Sequence, residues 1–201
     1  MIAIIDYGMG NLRSVQKGFE KVGLDALITD SPSKVKDASG VVLPGVGAFS
    51  AAMDHLRTSG MDMVVKEIID SGRPFLGICL GLQLLFSTGF EDGTHEGLGV
   101  FSGTVERLPE GIKVPHIGWN QINEVKDDAI LKGIPSDSYF YFVHSYVVKP
   151  DDKEIISTYT DYGGKFVSGI SKDNVYAYQF HPEKSSRIGL MLLKNFGGLC
   201  Q

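Results

Sequence analysis

Phe75-Leu76-Gly77-Ile78-Cys79-Leu80-Gly81-Leu82-Gln83 sets a cysteine between two glycines, with an apolar run before it and helix-forming residues from Leu80 to Phe86 after it. The pattern reads as strand, tight turn and helix with a nucleophilic residue type on the turn, a nucleophile elbow that carries cysteine where serine is commoner. The glycines answer a steric need, because on so tight a turn a β-carbon two residues to either side would strike neighbouring backbone. The helix starting at Leu80 offers free amides and a positive end, which favour a thiolate over a thiol. The plain alternative is that Cys79 is one more buried small apolar residue, the usual fate of cysteine.

The same order recurs toward the N-terminus. Ile2 to Asp6 is an apolar run that stops at Tyr7-Gly8-Met9-Gly10, and Asn11 opens a helical pattern through Val15, Phe19 and Val22. Gly40 to Leu43 ends at Pro44-Gly45-Val46-Gly47 before a helical stretch from Ala48 to Arg57. Short all-apolar strands alternating with helices predict an α/β fold, a mostly parallel twisted sheet with helices on both faces and a site at the carboxyl ends of its strands. From about Leu98 the character changes: Gly103 to Arg107, Tyr139 to Val148, Ile155 to Tyr159 and Lys165 to Ile170 are β-branched and aromatic, a strand-rich C-terminal half. Tyr176 to Phe180 reads as a last strand, and Ser185 to Phe196 as a closing helix stopped by Gly197-Gly198. With no repeat, linker or low-complexity segment, residues 1–201 read as a single domain.

Composition narrows the function. The chain has 201 residues, 43% hydrophobic and 21% charged, and a chain of that length buries roughly 70% of its unfolded surface in one core. A net charge of −5 offers no basic field for a phosphate backbone, so nucleic acid is not an expected partner. No apolar run approaches the roughly 20 residues of a membrane span, and the N-terminus lacks a signal-peptide pattern. Two cysteines, Cys79 and Cys200, make no disulfide framework, so a reducing cytoplasm is expected.

A thiol needs a base to reach its reactive form at neutral pH. Of the five histidines, His55 and His95 read as solvated surface, and His116 and His144 as hydrogen-bonded structural residues in strands. His95-Glu96 is no zinc motif, since Gly99 stands where the second histidine would fall. His181 differs: it ends an apolar strand and is followed by Pro182 and Glu183. In extended backbone residues two apart share a face, so Glu183 can orient His181, giving a Cys-His-Glu triad. The chemistry also needs oxyanion donors. The amide of Leu80 is one candidate, and the Pro44 to Gly47 loop is a second, its glycines letting a peptide rotate toward or away from the site at small cost; otherwise Pro-Gly is a plain turn.

Pro-Gly-x-Gly, then Gly-x-Cys-x-Gly-x-Gln, then a late His-Pro-Glu, in that order, resembles the class I glutamine amidotransferases. Within that class the chain is similar to the glutaminase subunits of imidazole glycerol phosphate synthases, on four blocks: Asp6 to Val15, Pro115 to Asn120, Tyr141 to Tyr146 and Phe180 to Ser185. The resemblance implies hydrolysis of L-glutamine through a γ-glutamyl thioester on Cys79, with no metal and no cofactor. Gln83 and Glu91 match glutamine-pocket positions, Glu91 meeting the substrate ammonium, while the backbone of His144, Ser145 and Tyr146 would hold its carboxylate. Gly47 and Leu80 match the oxyanion donors. Ammonia would pass to a (β/α)8-barrel cyclase in a heterodimer, and Asn11, Arg13, Trp119, Asn120 and Lys184 match segments that face it. Four of these five also have a plain reading, Asn11 as a helix cap, Arg13 and Lys184 as solvated charges, Trp119 as core packing. Cys200 has no assigned role.

Two competing functions stay open on the sequence: the same triad in another amination pathway, and a catalytically idle sensor module with Cys79 as a redox thiol. A dinucleotide site at Gly8-Met9-Gly10 fails, because Arg13 stands where the third glycine of the fingerprint would fall.

Overall fold

The structure, a computed structural model, describes residues 1–201. Its elements run β1 (Ile2–Ile5), α1 (Leu12–Lys21), β2 (Ala26–Thr29), α2 (Pro32–Lys36), β3 (Gly40–Gly45), α3 (Phe49–Thr58), α4 (Met61–Asp70), β4 (Phe75–Cys79) and α5 (Leu80–Leu84). The strand-rich half follows with β5 (Phe86–Gly89), β6 (His95–Glu96), β7 (Phe101–Arg107), β8 (His116–Gln121), β9 (Asn123–Glu124) and β10 (Tyr139–His144). It closes with β11 (Tyr146–Pro150), β12 (Ile156–Asp161), β13 (Lys165–Lys172), β14 (Val175–Tyr178) and α6 (Ser186–Leu199).

Apolar side chains alternate between the two faces of the strands, and helices cover both. Ala3, Ile5, Val41, Leu43 and Phe75 pack with Phe49 of α3 and Val64 and Val65 of α4. Ile2, Ile4, Val42, Leu76 and Ile78 pack on the other face with Val15 and Phe19 of α1 and Leu192 and Phe196 of α6. A strand buried on both faces must be apolar at every position, which is why these runs show no polar alternation.

Strands β2, β1, β3, β4 and β14 are parallel neighbours in that order, and β13, β11 and β7 follow antiparallel; β5 and β6 beyond β7, and β12 and β9 beside β13, bring the sheet to 12 strands. Register decides where the site forms. Gly45 lies opposite Cys79, and Tyr178 lies opposite Ile78. The chain segments leaving β3, β4 and β14 therefore emerge at one level, and His181 is carried to the edge where Cys79 turns.

Several sequence expectations change. Strand β3 runs on to Gly45, leaving only Val46 to Ala48 as loop. Helix α5 ends at Leu84 rather than Phe86, because the carbonyls of Leu84, Leu85 and Phe86 accept from the amides of Leu98, Phe101 and Gly99 and not from a next helical turn. Tyr139 to Val148 is not one strand: β10 pairs with β8 in a separate two-stranded ribbon, β11 joins the main sheet, and Ser145 is the corner. The last strand ends at Tyr178, two residues before Phe180. Elements β2, α2 and α4 were not anticipated, although Met61, Val64, Val65 and Ile68 fall at helical spacing. No helix is long and apolar enough to cross a membrane.

Gly197-Gly198 does not stop α6, which continues to Leu199. Gly197 serves close packing instead, since a Cβ there would lie 2.1 Å from Leu24 Cδ1, while nothing stands within 4 Å of one at Gly198. Beyond the helix, Cys200 packs on Gly40 at the start of β3, where a Cβ would meet its sulfur at 2.1 Å. Gly198→Ala is expected to stabilise the fold by about 0.5–1 kcal/mol through helix propensity, and Gly197→Ala to destabilise it by about 1–3 kcal/mol through overpacking. Thermal unfolding of the two variants checks the contrast.

Candidate active site

Strand β4 delivers Cys79 to the sheet edge and α5 starts at the next residue. The turn holds Cys79 at φ 55 and ψ −108, a conformation that costs a residue with a β-carbon about 1–3 kcal/mol. A Cβ at Gly81 would sit 1.9 Å from the Leu43 carbonyl oxygen, and one at Gly77 would sit 3.0 Å from the Gly81 carbonyl. Glycine at both places is thus a steric requirement, as the spacing predicts. Cys79 is 6% exposed. Its sulfur lies 3.8 Å from the Val143 carbonyl oxygen and accepts a hydrogen bond from Gln179 Nε2 at 3.5 Å.

His181 is buried, and its Nδ1 meets Glu183 Oε1 at 2.8 Å. The pair forms by a route other than strand alternation. Residues Pro182–Lys184 make a single 3₁₀ turn, started by the fixed φ of Pro182, and the two side chains meet across it. The His181 amide donates to the Tyr141 carbonyl at 2.9 Å, and Ser185 Oγ donates to the His181 carbonyl at 2.6 Å, so the turn is tied to β10. Burial by itself lowers the pKa of the imidazole, but Cys79 and Glu183 on either side outweigh it and raise the value to about 10. Nε2 closes no well-aligned hydrogen bond to the sulfur, yet after burial the sulfur is the largest influence on the ring. Catalytic hydrogen bonds are often long or misaligned without substrate and tighten when it binds.

His116 and His144 are structural, as expected, and their protons are ordered by one backbone carbonyl. Burial keeps both rings neutral, with pKa values lowered to about 4 and about 3, so each carries one N–H. The Tyr146 carbonyl can only accept, which fixes the His144 proton on Nδ1 at 3.0 Å. His144 Nε2 must then accept from His116 Nδ1 at 2.9 Å, and His116 Nε2 accepts from Asn120 Nδ2 at 3.3 Å. Gln83 Nε2 donates to the same carbonyl at 3.1 Å. Of the remaining histidines, His55 is exposed, whereas His95 is half-buried in β6 because that strand pairs with Gly89 of β5.

A cavity of about 250 Å³ opens above the sulfur, sized for a small metabolite rather than a drug-sized ligand. Cys79, Gly47, Leu80 and Gln83 line one side of it, and His144, Ser145 and Tyr146 the other. Glu91 also lines it, with Oε2 accepting from the Phe49 amide at 2.7 Å. That bond caps α3, a second duty the sequence did not suggest. Leu80 is the first residue of α5, and Gly47 sits at φ 102, where glycine is favoured. Two groups beside the sulfur went unnoticed in the sequence. Gln179 is an amide hidden within an apolar run, and Tyr7 looks like any turn tyrosine, but its hydroxyl is buried with no hydrogen-bond partner. Burial, with the charge of Cys79, pushes its phenol pKa up.

The outer face of the β8–β10 ribbon is apolar and bare. Ile117 is 56%, Trp119 50% and Tyr139 54% exposed, which overturns the core-packing reading of Trp119. Trp119 meets Tyr141 edge-on at 6.1 Å, and Lys184 lies 5.9 Å from that ring. Asn120, next in the strand, turns inward to His116 and to the Asp161 carbonyl. Asn11 and Arg13 are exposed at the start of α1, which packs against the Pro182–Lys184 turn. The side chain of Asn11 makes no capping hydrogen bond, so its plain reading also fails.

Residues 3–197 match the family model for class I glutamine amidotransferases. A protein named imidazole glycerol phosphate synthase subunit HisH from Moorella thermoacetica is 52% identical over 98% of this chain and 94% of its own length. The protein of that name from Aquifex aeolicus is 53% identical over 96% of this chain and 94% of its own. Among solved structures, a glutamine amidotransferase superposes with a TM-score of 0.78 at 17% identity over 100% of this chain and 99% of that one. A chain of PurLQS from Thermotoga maritima does so at 0.72 and 17%, over 99% of this chain and 96% of that one. At such identities the structural likeness speaks for the fold.

Two outcomes follow from the geometry. Tyr7→Phe removes a hydroxyl that lacks a partner, and burying such a group costs about 1–3 kcal/mol. The variant's thermal midpoint should hold or rise, and a drop would reveal an unseen partner. In Cys79→Ala the His181 ring loses one of its two raising neighbours and should titrate below about 10, which a pH series of the ring's NMR shifts would read.

Proposed function

The chain belongs to the class I glutamine amidotransferase family, and from that premise we propose that it is the glutaminase subunit of an imidazole glycerol phosphate synthase. The reading is carried by one observation: a buried imidazole, held at 2.8 Å by a buried glutamate, set beside the cysteine of a strained elbow. An idle thiol sensor has no use for an imidazole so oriented. Identity of 52% with a synthase subunit across nearly the whole chain favours this pathway over another amination.

In the proposed reaction the Cys79 sulfur gives an electron pair to the side-chain amide carbon of glutamine, and the carbonyl oxygen becomes an oxyanion facing the amides of Leu80 and Gly47. His181, which holds a proton at neutral pH while the sulfur is charged, passes it to the leaving nitrogen as the C–N bond breaks. Ammonia and a γ-glutamyl thioester result. The thioester sulfur carries no charge, so the larger of the two influences that raised His181 is gone, Glu183 alone stands against burial, and the neutral ring is easier to reach. The same nitrogen then takes a proton from water, whose oxygen attacks the thioester and frees glutamate and the thiolate. Acid and base are one residue, switched by the charge of its neighbour.

Gln83 and Glu91 orient the substrate, Glu91 at its ammonium, and the backbone of His144, Ser145 and Tyr146 receives its carboxylate. Trp119 and Lys184 on the ribbon side, with Asn11 and Arg13, form the face for a (β/α)8-barrel cyclase that takes up the ammonia, and Asn120, turned inward, supports that face from behind. An exposed apolar face beside the site suits such a partner. The cytoplasm suits a nucleophilic thiol.

Cys79→Ala should cut glutamine-dependent synthesis by the complex at least about 10³-fold and leave synthesis from added ammonia unchanged. Retained glutamine use would refute the proposal.

A further inference from the structure

We propose that Gln179 is a further residue of the catalytic site, donating its side-chain N–H to the Cys79 sulfur and holding it as a thiolate aimed into the cavity. This rests on the reading of Cys79 as the nucleophile.

Polarity makes the contact a donor bond. The Tyr146 carbonyl can only accept, so the Gln83 side-chain nitrogen must face it, at 3.1 Å. That nitrogen also donates to the Gln179 side-chain oxygen at 3.0 Å. With its oxygen committed there, Gln179 has only its nitrogen to present to the sulfur, at 3.5 Å. The direction of the bond is thus imposed by a backbone carbonyl two side chains away. Gln179 is fully buried, and its own amide donates to the Ser168 carbonyl at 2.9 Å, so the side chain is anchored at both ends.

The opposite neighbour of the sulfur is the Val143 carbonyl, at 3.8 Å. A neutral thiol can donate to it, but a thiolate has nothing to donate and finds its closed hydrogen bond in Gln179. Gln179 therefore favours the charged sulfur over the neutral one. The same N–H acts again when the thioester breaks: water oxygen bonds to the acyl carbon, the C–S bond cleaves, and the sulfur regains its electron pair facing Gln179.

The test alkylates wild type, Gln179→Met and Gln179→Glu with iodoacetamide at pH 7 and pH 10 and counts the Cys79 adduct by peptide mass. Burial pushes the Cys200 thiol up to about 12, so it competes little. Gln179→Met nearly conserves volume and deletes the donor. Gln179→Glu keeps the oxygen to which Gln83 donates and puts a charged carboxylate oxygen in place of the N–H donor, 3.5 Å from the sulfur, which covers the case of a poorly folding methionine variant. The Cys79 rate at pH 7 should fall about tenfold in Gln179→Met, the scale of one charge-assisted hydrogen bond to a weak acceptor, and at least as far in Gln179→Glu, whose carboxylate also opposes the thiolate; at pH 10, where a free thiol ionises unaided, Gln179→Met should show little change. For glutamine hydrolysis, kcat should fall and KM hold. Folded variants that alkylate at wild-type rates at pH 7, or a Gln179→Met slowed equally at both pH values, would reduce Gln179 to a packing residue while the glutaminase reading stood. A wild-type Cys79 inert to the reagent would overturn both.

Discussion

A buried imidazole keeps a proton only if negative charge stands close enough to replace the water it has lost. His181 is 2% exposed, and it has Glu183 on one nitrogen and the Cys79 sulfur toward the other. Removing an ion from water costs several kcal/mol even after the protein relaxes, so the charge on the ring depends on the sulfur and Glu183 that flank it. In the proposed reaction this dependence would make the site a device for moving one proton, since forming or breaking the thioester would remove or restore a charge that helps decide where the proton rests.

The fold is arranged to keep that pair together. Register places Gly45, Cys79 and the chain following Tyr178 at one edge of the sheet, and the elbow holds the sulfur outward at a positive φ. The strain is sustained by close backbone approach: the Gly81 position lies so near the Leu43 carbonyl that no side chain fits. On the far side, one carbonyl, that of Tyr146, accepts from His144 and Gln83 alike. It orders a chain of side-chain protons from Asn120 through His116 and His144, and through Gln83 it sets the direction in which Gln179 faces the sulfur.

Much of this was legible in the sequence. The elbow could be read because its chemistry is local, a short apolar run, two glycines and a helix within nine residues. His-Pro-Glu could be read as a pair, although a 3₁₀ turn brings the side chains together where strand alternation was expected. Roles that arise from contacts distant in sequence stayed hidden. Gln179 and Tyr7 gain meaning only from what the sheet sets beside them, and Glu91 caps a helix 42 positions away. The paired glycines of α6 look like a stop, but their meaning depends on Leu24, which approaches one of them and not the other. The corner at Ser145 was missed because both flanking segments are strands with the same composition, and only their partners differ.

Everything turns on the sulfur reacting with help from the imidazole. Labelling with a glutamine-analogue electrophile, followed by peptide mapping in the wild type and in His181→Asn, tests this most directly. The account predicts a single adduct on Cys79, suppressed by glutamine and slowed sharply by the substitution. An adduct on another residue, or labelling of Cys79 as fast without the imidazole as with it, would contradict it.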